Sequence, residues 1–139
     1  MEPPKIEVFE VIDSQRRSLG FLESNEITLN FGRIICGQPG VVKCLVFKPS
    51  FGIEDITLRV GAEKNLDFHG AVAAMFKKSL LDTAKLSPLP KEGLKVKGKA
   101  GSAKVEGESE FVFVGISAKT AEAAGEHILK GEVEFLWPA

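Results

Sequence analysis

The chain has no tyrosine, one tryptophan, two histidines and two cysteines in 139 residues. Without tyrosine there is no phenolic acid or base. Two cysteines cannot build the multi-bridge framework of a small secreted scaffold. No stretch approaches the ~20 apolar residues that cross a bilayer. The opening Met1-Glu2-Pro3-Pro4-Lys5 has neither a basic nor an apolar leader segment. An excess of one charge is missing too: the formal net charge is -1, which argues against general binding to nucleic acid or to a membrane surface. These absences lead us to expect synthesis and folding in a reducing cytoplasm, with later release inside a virus particle compatible with that origin.

What is present is an ordinary globular balance, 44% hydrophobic and 27% charged. At ~150 residues per domain it is one domain, here taken as 1–139 with an N-terminal arm over 1–5 stiffened by Pro3 and Pro4. Period-2 patterning dominates. Ile6, Val8, Phe9 and Val11 mark a strand near 5–13, and Ile27, Leu29 and Phe31 alternate with Thr28 and Asn30. Gly37-Gln38-Pro39-Gly40 reads as a turn. Residues 41–47 are apolar on both faces, as are 111–116, which marks both as interior strands. Ile56, Leu58 and Val60 form a further strand, and Val133, Phe135 and Trp137 close the last one. The stretch 71–86 suits either a strand or a helix; a strand near 66–76 and a short helix near 78–86 are expected. Strands separated by turns every ~8–12 residues point to an all-β sandwich of about seven to nine strands, with one short helix or long crossover.

The candidate chemistry is sparse. Cys36 and Cys44 flank the Gly37–Gly40 turn; in one hairpin they would sit about 10 Å apart, beyond the reach of a disulfide. They are expected as free thiols, because the further ligands of a metal site are missing. His69 with Asp67, and His127 beside Glu126, read as surface or capping histidines. Catalytic, cofactor and metal sites are therefore assigned to no residue, and an enzyme is not expected. Glu106, Glu108 and Glu110 read as one solvated strand face. Lys95, Lys97 and Lys99 are the matching basic row on a charged edge strand. Residues 77–104 carry a net +6 and residues 105–139 a net -5, so the blocks suit pairing within the chain or between copies. Gly98 to Lys104 lacks the residue order of a phosphate loop and reads as a hairpin turn. Phe135 and Trp137 at the chain end, and Phe21-Leu22 as a loop, are candidate apolar anchors for a neighbouring subunit.

Asn30-Phe31-Gly32-Arg33-Ile34-Ile35-Cys36-Gly37-Gln38 resembles the opening of immunoglobulin-like domains of ciliary and centrosomal proteins, and of bacterial and phage modules of that class. Phe111 to Phe135, with Ala-Gly before the last strand, resembles their closing strand–loop–strand. Lys48-Pro49-Ser50-Phe51-Gly52 departs from the ciliary pattern, which has an Asn-Thr-Gly-like turn there. The resemblance implies a non-enzymatic structural subunit of a larger assembly, a phage virion component of the capsid-decoration, neck or tail kind. Its partners would be proteins, copies of itself included, with no cofactor, nucleic acid or membrane. Partner-binding would fall to Trp137, Phe135, Phe21, Leu22, Lys95, Lys97 and Lys99. Two alternatives stand beside it: an intracellular adaptor that binds a partner peptide at a sheet edge, and a sandwich that binds a small ligand or carbohydrate.

Overall fold

Alternating residues become strands where one side has a core to face. The computed structural model describes residues 5–13, 15–22, 25–60, 65–99, 102 and 104–136, the last stretch without the side chains of Lys130, Phe135 and Leu136. Of the expected arm, only Lys5 lies among them. The strands are β1 (Ile6–Ile12), β2 (Gln15–Phe21), β3 (Glu26–Ile34), β4 (Val41–Pro49), β5 (Asp55–Val60), β6 (Leu66–Ala73), β7 (Ser87–Pro88), β8 (Leu94–Val96), β9 (Phe111–Ala118) and β10 (Gly125–Leu136). Two antiparallel sheets result, a six-stranded β2-β1-β4-β9-β6-β7 and a four-stranded β3-β10-β5-β8. The all-β sandwich expected from patterning is what forms.

The pairing follows a rule. β3 pairs β10, β4 pairs β9, β5 pairs β8 and β6 pairs β7. The chain from β3 to β10 is thus one long hairpin, folded over so that β10 also meets β5 and β9 also meets β6. That wrap is the order of a jelly roll, two Greek keys around one core. β1 and β2 then extend the six-stranded sheet beyond β4.

Ile6, Val8, Leu29, Phe31, Leu45, Phe47, Leu58, Val114 and Val133 fill the space between the sheets. β4 and β9 are apolar on their outer face too. Cys44 and Phe113, partners across the ladder, are capped there by Phe76, Leu80 and Leu86. Phe76 lies 6.1 Å from the Phe111 ring and 6.0 Å from that of Phe113. The segment after β6 is therefore a lid on the outer face. It forms two 3-10 turns, Lys78–Leu81 and Thr83–Lys85, in place of the expected short helix.

Two local expectations are corrected. β3 and β4 do not form a hairpin: the Gly37–Gly40 turn carries the chain from one sheet to the other. The glutamate row is not a strand face. Gly107 takes φ +76°, and among the described residues the stretch has no strand ladder, only the isolated bridges Ile53↔Val105 and Gly98↔Ser109. Ser109 anchors it by donating its N–H to the Phe47 carbonyl (2.9 Å) and accepting the Phe47 N–H (2.9 Å).

Candidate functional site

The register gathers most of the candidate residues at one end of the sandwich. There β1 begins, β4 ends, β5 begins and β10 ends, as the pairs Ile6↔Pro49, Glu7↔Phe21, Phe135↔Ile56 and Leu136↔Asp55 show. Phe21, expected in a loop, is the last residue of β2 and 55% exposed, with the Lys5 ammonium 5.7 Å from its ring. Leu22 packs against the inner core, and its N–H donates to the Ile6 carbonyl. Phe51, 49% exposed, is an apolar neighbour that the sequence reading passed over. Phe135 is placed by its backbone only, and Trp137 lies outside the described residues.

The lysine row approaches the same end from β8. Lys95 pairs with Asp55 at 3.2 Å. Lys97 accepts the Glu110 N–H through its carbonyl (2.9 Å), and Lys99 donates its N–H to the Glu108 carbonyl (3.2 Å). The basic and acidic rows are thus neighbours through their backbones. Their side chains go elsewhere: Glu108 meets Arg16, Glu106 meets Lys104 at 3.5 Å, and Glu110 is buried. Lys97 and Lys99 are exposed and make no ion pair among the described residues.

A second feature follows from the unequal sheets. Where β1 and β2 run past β3, a groove of about 370 Å³ opens, lined by Glu10, Arg17, Leu19 and Lys43 on one side and by Thr28 to Gly32 on the other. Glu10 is buried and pairs with Lys43 at 2.8 Å. Arg17 stands opposite Glu10 in the β1–β2 register and has no ion pair among the described residues. None of this was visible beforehand, because the residues come from four strands with no shared motif.

His69 Nε2 lies 3.1 Å from Ser117 Oγ, while Asp67, the residue that would orient the ring in a triad, faces Lys119 at 3.5 Å. His127 donates through Nε2 to the Ala123 carbonyl at 2.6 Å and so caps the 3-10 turn there. Cys36 is an exposed free thiol and Cys44 a buried one. Burial pushes the Cys44 thiol up to about 12, with Arg16 pulling it down and Glu10 adding to the rise. The Arg59 hydrogen bond holds the Glu134 carboxyl below its ordinary range. Among the described residues no group of three or more His, Cys, Asp or Glu is placed to hold a metal ion, and no helix is long and apolar enough to cross a membrane. No family model, curated protein or solved structure matches the chain.

Proposed function

We propose that the chain is a non-enzymatic structural subunit that docks on a larger protein assembly, with a virion as its setting. One observation carries the reading: the exposed apolar Phe21 and Phe51 lie at the same end of the sandwich as Lys97 and Lys99, which make no ion pair among the described residues. An apolar patch beside free charge is the makeup of a docking face, where buried aromatics supply affinity and rim charges set orientation. Jelly-roll sandwiches build viral capsids, and this fold-level analogy favours a virion. Synthesis in the cytoplasm precedes incorporation.

The test is the solution mass of the full chain by light scattering at low and high salt, with sedimentation of the chain alongside particles from its native source. The expected result is a salt-sensitive oligomer or co-sedimentation, weakened by Lys97→Glu and by Phe21→Ser. A monomer under all conditions that never co-sediments overturns the reading.

A further inference from the structure

The four-stranded sheet stops two strands short of its partner. Its last strand on that side, β3, has a ladder with β10 alone among the described residues. The Val133 N–H donates to the Asn25 carbonyl, so hydrogen bonding along this ladder falls on Asn25, Ile27 and Leu29. The backbone N–H and C=O groups of Thr28 and Asn30 therefore point away from β10, along the groove. The regular edge of β3 is interrupted by a bulge at Phe31, before the ladder resumes at Gly32: Gly32 takes φ +72°, and its N–H donates to Asn30 Oδ1 at 3.0 Å. The usable edge is thus about five residues, or roughly 17 Å at 3.4 Å per residue.

Edge strands are normally blunted by inward charge, proline or a covering loop. β3 has no proline, and of the exposed row Glu26, Thr28 and Asn30 along its open edge only Glu26, at its start, is charged. The groove floor offers Leu19, 41% exposed, above Leu29, Phe31 and Leu45. Its charges do not cancel. Glu10 is taken by Lys43, which leaves the Arg17 guanidinium over.

We infer that this groove accepts an extended strand of a protein partner, added beside β3, whose inward-facing positions alternate apolar side chains with a carboxylate that meets Arg17. Backbone ladder bonds to Thr28 and Asn30 supply affinity, and alternate side chains supply choice. The inference rests on the docking reading in naming a protein partner, but it uses a different surface from the Phe21 end.

The probe is a labelled heptapeptide with valine, glutamate and valine at its second, fourth and sixth positions, beside a version with lysine in place of the glutamate. Binding to the full chain is followed by fluorescence anisotropy and by amide shifts, up to millimolar peptide. The glutamate peptide is expected to bind at least tenfold more tightly, with shifts at Thr28 and Asn30. Arg17→Glu is expected to reverse the preference. Thr28→Pro, which removes an outward N–H, is expected to abolish binding, and a folded amide spectrum shows that the sandwich survives. Equal binding of the two peptides, binding indifferent to Arg17→Glu, or no binding of either overturns the inference. If the wild-type chain still assembles while neither peptide binds, the groove reading fails and the docking reading stands.

Discussion

Phe76→Ala tests whether the crossover after β6 is a lid that shields the outer face of the six-stranded sheet. The Phe76 ring is half-buried and packs on Phe111 and Phe113 at about 6 Å each. Truncating a fully buried phenylalanine costs about 3–5 kcal/mol. Half burial lowers that to about 2 kcal/mol, the two ring pairs included. The loss falls on the lid and not on the space between the sheets, because Phe76 belongs to the outer cluster with Cys44, Leu80 and Leu86. Local opening should therefore become about 30-fold more frequent, at ~1.4 kcal/mol per factor of ten. Cys44 reports it, since the thiol is 1% exposed and lies in that same cluster. In a Cys36→Ser background, maleimide labelling of Cys44 should speed up about 30-fold under native conditions, and amide exchange should rise over residues 76–86. Unchanged labelling with a lowered unfolding midpoint would refute the lid, because Phe76 would then be holding the whole sandwich.

Other outcomes follow from single contacts. In the wild-type chain a thiol reagent should modify Cys36 at once and Cys44 only on opening, read as one adduct and then two by mass spectrometry. The Cys44 thiol, raised from 9.0 to about 12, is held neutral by the fold while the unfolded chain ionises near 9. Stability is thus fully present below pH ~9 and falls above it by about 1.4 kcal/mol per pH unit until about 12. Between about pH 8 and about pH 10.5 the wild type should lose about 2 kcal/mol more than Cys44→Val in urea titrations. Lys43→Ala leaves Glu10 buried without its partner and should cost about 3 kcal/mol, with Glu10→Gln in the same chain restoring much of it. Gly40→Ala would place a Cβ 1.9 Å from the Ile116 carbonyl oxygen, so backbone must move. A drop in thermal midpoint of about 10 °C or more is expected.

Much of the sandwich was legible because β1, β3 and β5 carry their own alternation. β4 and β9 were readable as interior strands, although their outer cover is the crossover lid and not a further sheet. β2 was not legible: Gln15 to Phe21 is exposed almost throughout, so nothing in Gln-Arg-Arg-Ser-Leu-Gly-Phe alternates. The segment 71–86 was ambiguous for a physical reason. Val72 faces across to Val112, while Ala71, Ala73, Phe76 and Leu80 pack on the outer face, so both faces look apolar. The glutamates at 106, 108 and 110 alternate like a strand, yet Gly107 at φ +76° breaks their common face. Turn residues at 37–40 announce a reversal but not that it leads into the other sheet. Strand order and the Arg17 groove depend on pairings between distant segments, which no local pattern encodes.

The pairing rule also governs how the chain can be made. β10 lies between β3 and β5, yet of the ten strands it is the last to be synthesised, and its partners in β3 precede it by about a hundred residues. The four-stranded sheet has no centre until that strand leaves the ribosome. Until then β3 and β5 wait with open edges and uncovered apolar faces. Such late, long-range closure slows folding and exposes the nascent chain to wrong pairing. Holding off competing strands during translation is therefore a task for the cell before it is one for the finished protein.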